Sequence, residues 1–85
     1  MINSFLKYLQ FEKRYSAKTV LSYETDLRQF EQFLVGDFDC PPQQANYGLV
    51  RSWIVSLVED GLSNASINRK IACLRSFYKY LRKQE

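Results

Sequence analysis

Apolar residues recur at the i, i+3, i+4, i+7 spacing of an amphipathic helix in four separate stretches of the chain. The first predicted helix runs roughly from Asn3 to Lys13, and the second from Ala17 to about Val35. The third begins after Asn46, and the fourth begins at Ser63 or Asn64 and continues nearly to the end of the chain. No stretch alternates like a strand, so the pattern predicts an all-α fold in a single domain.

Polar caps and glycines set the limits of these predicted helices. Ser16 and Asn46 are residue types whose side-chain oxygens accept hydrogen bonds from the free amides of a first helical turn. Gly36 is predicted to end the second helix, and Gly61 to close the third in the left-handed conformation. Residues 37–45 contain two adjacent prolines and are predicted to form a connecting loop.

The apolar stripes also predict the core. Thirteen aromatic residues (six Phe, six Tyr and one Trp) give this chain of 85 residues enough apolar surface to fold without a metal or a disulfide. The side chains predicted to face inward are Ile2, Phe5, Leu6, Leu9, Phe11, Val20, Tyr23, Leu27, Phe30, Leu34, Val50, Trp53, Ile54, Leu57, Val58, Ile67, Ile71, Leu74, Phe77, Tyr78 and Leu81.

The composition excludes several kinds of chemistry. The chain has no histidine, so it contains neither a histidine general base nor a histidine-containing zinc site. Its two cysteines, Cys40 and Cys73, are too few for a disulfide framework and indicate reduced thiols in a cytoplasmic protein. No apolar run approaches membrane-spanning length. We therefore expect a soluble protein with no catalytic residue, no cofactor and no metal of its own.

The net charge of +3 is unevenly distributed. Residues 1–61 hold six basic and eight acidic residues, a net of −2, whereas residues 62–85 hold six basic and one acidic residue, a net of +5. A helical projection centred on Ile67 places cations and small side chains together on the outward side of the fourth helix. These outward residues are Ala65, Arg69, Ala72, Ser76 and Lys83, flanked by Asn68, Arg75 and Lys79.

A helix of this kind fits the major groove of DNA, because small residues let its backbone approach while the longer side chains reach the bases and phosphates. The second predicted helix offers a weaker polar face made of Lys18, Thr19, Ser22, Thr25 and Gln29. A solvated surface and helix-dipole cations near a C-terminus are, however, the commoner explanations of a basic face. The residues alone leave both interpretations open.

The order of particular residues resembles a known family. The matching positions are Ser16, Thr19, Tyr23, Asp26, Leu27, Phe30, Phe33, Leu34, Val50, Trp53, Leu57, Gly61, Leu62, Ser63, Ser66, Ile67, Asn68, Arg69, Lys70, Ile71, Leu74, Arg75, Ser76, Phe77, Tyr78, Tyr80 and Leu81. In this order and spacing they resemble the N-terminal core-binding domain of tyrosine recombinases, the phage integrases and Xer-type site-specific recombinases. The resemblance runs from Phe5 to Leu81.

The resemblance implies a SAM-like bundle of four helices, arranged as two crossed antiparallel pairs, that forms one arm of a clamp around double-stranded DNA. The second and fourth helices of such an arm face the DNA. The DNA contacts that it implies here are Lys18, Thr19, Ser22, Ser66, Asn68, Arg69, Arg75 and Lys79. Arg69 is the foremost of these candidates.

The resemblance also implies what lies outside this chain. In such proteins a separate catalytic domain cleaves and rejoins DNA strands through a tyrosine nucleophile, and none of the six tyrosines here is assigned that role. We expect a fragment of a longer integrase that binds without cutting, is monomeric alone and works with other protomers in a tetramer on DNA. The alternative is a helical protein-interaction domain in which Phe11, Phe38 or Tyr47 docks another helix.

Overall fold

The computed structural model of the chain describes residues 1–84. These residues form four α-helices joined by short connections, with one 3₁₀ turn at Pro42–Gln44, and they contain no strand. The predicted all-α class is therefore confirmed. The helices are α1 (Ile2–Phe11), α2 (Ala17–Phe38), α3 (Tyr47–Glu59) and α4 (Asn64–Lys83).

Three helices start at a side-chain cap. The side-chain oxygens of Ser16, Asn46 and Ser63 each accept a hydrogen bond from the backbone amide three residues later, at 3.2, 2.9 and 3.2 Å. Each bond satisfies one of the amides that a helix start leaves without an intrahelical partner. Gly61 follows the C-cap of α3 with a φ of 84°, so the predicted left-handed glycine is confirmed.

Two predicted helix ends were wrong. The second helix does not stop near Val35 but passes through Gly36 and ends at Phe38. The ring of Phe38 packs on that of Phe33 at 5.4 Å between centroids, which stabilises the extra turn, and Asp39 then terminates the helix with a φ of 48°. The first helix ends at Phe11 rather than Lys13.

The core forms around α2, which contacts each of the other three helices. Leu27, Phe30 and Leu34 of α2 are fully buried. Phe30 packs against Trp53 of α3, with 4.9 Å between ring centroids. On the other side of the bundle, Phe5 of α1 contacts the rings of Phe77 and Tyr80 of α4 at 5.4 and 5.5 Å. These aromatic contacts join α2 to α3 and α1 to α4, and the other buried apolar side chains unite both pairs in one core.

Most of the predicted core residues are buried or half-buried, but Phe11 and Val58 are 68% and 59% exposed. Phe11 is the last residue of α1, and Val58 lies on the side of α3 turned away from the bundle. On α4 the prediction missed three buried side chains, which are Lys70, Cys73 and Tyr80.

The reason for the difference on α4 is that the helix packs on both α1 and α2. The ring of Tyr80 packs against that of Tyr8 of α1 in a tilted arrangement, with 4.9 Å between centroids, and Cys73 lies against α2. The buried face is consequently centred on the row of Lys70, Cys73 and Phe77 rather than on Ile67.

None of the helices in the described part of the chain combines the length and the apolar character that crossing a lipid bilayer requires.

Candidate nucleic-acid interface

The two helices predicted to face DNA lie side by side and run antiparallel. Lys70 of α4 contacts both Gln29 and Asp26 of α2, and one turn further along α4 the thiol of Cys73 donates to the carbonyl oxygen of Tyr23 at 3.6 Å. The contacts therefore move toward the start of α2 as they move toward the end of α4. The first half of α2 consequently lies beside the second half of α4.

A cluster of four polar side chains joins α2 to α4. We call it the Asp26 cluster, and it consists of Asp26, Gln29, Arg69 and Lys70. Asp26 Oδ2 accepts from Nε of Arg69, and Oδ1 accepts from Nη2, both at 3.1 Å. Lys70 Nζ donates to Asp26 Oδ1 at 2.8 Å and to Gln29 Oε1 at 2.6 Å.

Asp26 and Lys70 need the hydrogen bonds of this cluster because both side chains are buried. Asp26 is 1% exposed and Lys70 4%, and a charge so far from water is tolerated only when hydrogen-bonded partners compensate it. No buried side-chain nitrogen or oxygen within residues 1–84 lacks a hydrogen-bond partner. The cluster carries two positive charges and one negative charge, so a net positive charge remains at the boundary between the two helices.

The cluster also affects neighbouring protonation equilibria. The hydrogen bonds to Asp26, and then its negative charge, raise the pKa of the Arg69 guanidinium above its already high ordinary value. Burial, reinforced by the same carboxylate, raises the pKa of the Cys73 thiol to about 12. Arg69 therefore stays cationic, and Cys73 stays a neutral thiol at physiological pH.

Arg69 does not occupy the position that the helical projection gave it. The projection placed it almost opposite the buried face, but it lies on the flank of α4 beside α2, with its side chain 49% exposed. Because the buried face is centred on Lys70, Cys73 and Phe77, the outermost positions belong instead to Asn68 and Lys79, which are exposed. The prediction that Arg69 points straight outward was wrong.

The polar side of α2 borders α4 as well. Lys18 and Ser22 precede Asp26 by eight and four residues and so share its helix face, with Lys18 exposed and Ser22 half-buried. The acidic side chains of Glu24 and Glu31 lie elsewhere, because both pair with Arg28.

Arg28 marks the opposite side of α2. Its Nη2 donates to Oδ1 of Asn3 in α1 at 2.8 Å, so Arg28 and its two glutamate partners lie on the side of α2 next to α1. In the first half of α2, the side next to α4 is thereby left with cationic and neutral groups apart from the buried carboxylate of Asp26, whereas the exposed Asp37 shares this side near the end of the helix.

Thr19 and Ser66 occupy equivalent positions at the starts of α2 and α4. The hydroxyl of Ser16 donates to Thr19 Oγ1 at 3.0 Å, and that of Ser63 donates to Ser66 Oγ at 3.2 Å. Each cap serine thus exchanges two hydrogen bonds with the third residue of its helix. The hydroxyls of Thr19 and Ser66 are half-buried, so each can still form a hydrogen bond with another group.

Arg75 is exposed on the side of α4 nearer to α3, where it lines an open groove of about 770 Å³. Ile54 and Tyr78 contribute to the apolar wall of this groove, and Lys79 lies at its rim. Tyr47, which also lines the groove, is 81% exposed. With Arg82 also in its lining, the groove combines apolar surface with three cations.

The sequence reasoning missed the Asp26 cluster, although a signal for it exists. Asp26 lies within the apolar stripe of α2, next to Leu27, and Lys70 lies within that of α4, next to Ile71. A charged residue inside each of two apolar stripes, with opposite signs, indicates a buried ion pair. Within residues 1–84 no group of His, Cys, Asp and Glu side chains is arranged to hold a metal ion.

Comparison with known proteins gives the chain a family relationship. The profile described as "Phage integrase, N-terminal SAM-like domain" matches residues 2–85. The tyrosine recombinase XerC of Oceanobacillus iheyensis is 41% identical over 83 residues, which are 98% of this chain and 27% of that protein. No solved structure matches the chain.

Two further relatives carry the same name. The tyrosine recombinase XerC of Anoxybacillus flavithermus is 38% identical and that of Bacillus subtilis 37% identical, each over 84 residues. Each alignment covers 99% of this chain and 28% of the relative. The chain thus spans little more than a quarter of the length of the curated relatives it matches.

Proposed function

The chain belongs to the phage integrase N-terminal SAM-like domain family, and on this premise we propose that it is the DNA-binding arm of a site-specific tyrosine recombinase. In this proposal α2 and α4 grip duplex DNA at a recombination site. A catalytic domain elsewhere in the parent protein cleaves and rejoins the strands. The 85 residues themselves bind without cutting.

The observation that carries the proposal is the outward face of α4. Asn68, Arg75 and Lys79 are exposed there, and the exposed Ala72 between them leaves room for a close approach of the helix backbone. Between residues 64 and 83 the sequence contains no Asp or Glu. A polyanion thus meets cations and hydrogen-bonding groups on this face with no acidic side chain of α4 to repel it.

The side of α2 next to α4 extends this surface. Lys18 is exposed near the start of α2, and the partly exposed hydroxyls of Thr19 and Ser66 suit hydrogen bonding to phosphate oxygens. We propose that the DNA contacts are Lys18, Thr19, Ser22, Ser66, Asn68, Arg69, Arg75 and Lys79. Most of these side chains are phosphate-binding types, so they fix the position of the arm on the duplex.

A titration of the ¹⁵N-labelled chain with a duplex of about 24 base pairs at low salt tests this function. We expect amide signals of the first half of α2 and the outward face of α4 to shift. The affinity should fall steeply with salt, because each neutralised phosphate releases counterions. A titration that shifts no amide signal on either helix would rule the proposal out.

A pair of lysine variants provides the matched control. Lys79→Gln removes a charge from the outward face of α4, whereas Lys7→Gln removes the same charge from an exposed position on α1. We expect only Lys79→Gln to lower the salt slope, by about 0.9. Equal effects of the two variants would mean that net charge alone, and no defined face, attracts the DNA.

Protein docking is the second candidate function. The groove beside Arg75 has an apolar wall, and the exposed rings of Tyr47, Phe38 and Phe11 suit contacts with another helix. In the recombinase proposal such contacts join this protomer to others in a tetramer on DNA, while the chain alone is monomeric. Sedimentation without DNA, together with the duplex titration, distinguishes the candidates, since self-association in the absence of any salt-sensitive DNA binding favours docking as the sole role.

A further inference from the structure

We infer that Asp26 positions Arg69 as a phosphate contact: the buried carboxylate fixes the guanidinium so that its free edge receives a backbone phosphate of duplex DNA. This inference rests on the proposed function. It assigns Asp26, which does not touch the DNA, a part in binding. It also makes Arg69 a contact that is independent of base sequence.

The geometry around Asp26 restrains Arg69 strongly. Both carboxylate oxygens accept from the guanidinium, through Nε and Nη2 at 3.1 Å each, so the planar fork of Arg69 has one orientation. The carboxylate is fixed in turn by Lys70, whose ammonium lies 2.8 Å from Oδ1 and is almost entirely buried. A side chain that is ordered before binding loses less conformational entropy when it meets its ligand.

The remaining donors of Arg69 form a second fork. A guanidinium has five N–H groups, and Asp26 accepts from two of them. The edge formed by Nη1 and the second proton of Nη2 makes no hydrogen bond within residues 1–84, and the side chain is half exposed. That edge has the spacing and charge that bind two phosphate oxygens.

The direction of the side chain favours phosphate over bases. Arg69 extends sideways along the protein surface toward α2 and not outward from α4, so its reach does not carry it into a groove about 8.5 Å deep. Asn68, which precedes Arg69 on α4, is exposed on the outward face and is free to reach base edges. The paired charges of Asp26 and Lys70 cancel, so the positive charge of Arg69 is retained for the phosphate.

Arg69→Ala tests the phosphate contact. Binding of labelled duplexes of about 24 base pairs, one AT-rich and one GC-rich, is measured by fluorescence anisotropy between about 50 and 200 mM salt. We expect the salt slope to fall by about 0.9 for both duplexes, with the ratio of their affinities unchanged. A changed ratio would show that Arg69 reads bases and would overturn the phosphate assignment.

A second variant tests the positioning by Asp26. Asp26→Asn alone would leave the buried ammonium of Lys70 without its charged partner, so Asp26→Asn is combined with Lys70→Met. The double variant keeps the net charge and replaces the two-oxygen ion pair of Arg69 with a neutral amide that offers one acceptor oxygen. Circular dichroism checks that this double variant is folded. We expect it to bind both duplexes about threefold more weakly, and Arg69→Ala to have a smaller effect in this background than in the wild-type chain.

The Nε–H signal of Arg69 gives a measurement that needs no variant. In the wild-type chain its hydrogen bond to Asp26 should protect this proton from exchange with water, and we expect the protection to persist when duplex is added. Loss of protection on DNA binding would mean that DNA draws Arg69 away from Asp26, which contradicts the inference.

The two proposals fail in different ways. A wild-type chain that binds neither duplex overturns the proposed function and this inference with it. A wild-type chain that binds both duplexes, with an unchanged salt slope for Arg69→Ala or an equal effect of Arg69→Ala in both backgrounds, overturns the inference alone.

Discussion

Lys70 Nζ lies 2.8 Å from Oδ1 of Asp26, and these are the two charged side chains that the described part of the chain buries. Their remaining partners differ. Asp26 has two further hydrogen bonds from Arg69, whereas Lys70 has one, to the neutral amide of Gln29. The two charges therefore depend on each other to different degrees.

This asymmetry predicts the stabilities of two single variants. Asp26→Ala leaves a buried ammonium without an anionic partner and should lower the free energy of unfolding by about 3 to 5 kcal/mol. Lys70→Met should lower it by less, because the carboxylate keeps both hydrogen bonds from Arg69. Urea unfolding followed by circular dichroism measures both values. Equal losses would contradict the asymmetry.

The hydroxyl of Tyr78 attaches α4 to the 3₁₀ turn. It donates to the carbonyl oxygen of Pro42 at 2.6 Å, across 36 residues of sequence. Tyr78→Phe keeps the ring and removes this bond, so we expect the free energy of unfolding to fall by about 1 kcal/mol. Tyr47→Phe, which alters an exposed ring, is the matched control and should change it by no more than a few tenths of a kcal/mol.

Alkaline pH should destabilise the fold through two buried groups. Burial raises the pKa of Tyr78 to about 12 from an ordinary 10.0, and that of Cys73 to about 12 from 9.0. Both groups hold their protons more tightly in the folded chain, so their stabilisation is complete below pH 9.0 and is lost as the pH rises toward about 12.

Urea midpoints measured across this alkaline range provide the test. The Tyr78→Phe and Cys73→Ser variants should each lose less stability with rising pH than the wild-type chain, because each lacks one of the two titrating groups. Parallel pH curves for all three proteins would contradict this explanation of the alkaline instability.

Replacing each of two glycines by alanine should change the stability of the fold in opposite directions. Gly36 lies inside α2 with open space where a Cβ would be added, so Gly36→Ala should stabilise the fold by about 0.5 to 1 kcal/mol. Gly61 also has open space but a φ of 84°, so Gly61→Ala should destabilise by about 1 to 2 kcal/mol. Thermal unfolding of the two variants measures both signs in one experiment.

The two cysteines should differ in reactivity. Cys73 is fully buried and its thiol pKa is raised by burial, whereas Cys40 is half-buried in the connection between α2 and α3. At about pH 8 a thiol reagent should modify one group per folded chain and two groups in denaturant. The single variants Cys40→Ser and Cys73→Ser identify which thiol reacts, and rapid labelling of folded Cys40→Ser would disprove the assignment.

Helix starts were predictable because they depend on neighbouring residues alone. A cap such as Ser16, Asn46 or Ser63 acts on an amide three positions away, within reach of sequence reasoning. The end of α2 was missed because the packing of Phe33 on Phe38 outweighs the low helix propensity of Gly36. Local propensity is a weak signal when tertiary contacts decide.

The candidate interface was predictable in part for a similar reason. Periodicity predicted that Asn68, Arg75 and Lys79 face outward, and all three are exposed. The flanking position of Arg69 depends on Asp26, which lies 43 residues earlier in the chain. The sequence marks Asp26 and Lys70 as charges inside apolar stripes, but it does not show that Arg69 is the further partner of Asp26, because a charged residue in a helix is more often solvated than buried.

The length of α2 is close to the longest dimension of the protein. Its 22 residues rise about 33 Å, and the longest dimension of the chain is 35 Å. One turn of B-form DNA has a similar length, about 34 to 36 Å. With its longest dimension along the duplex, one such chain would cover about a single turn, and a longer protected stretch on a recombination site would then be divided between this arm and its neighbours.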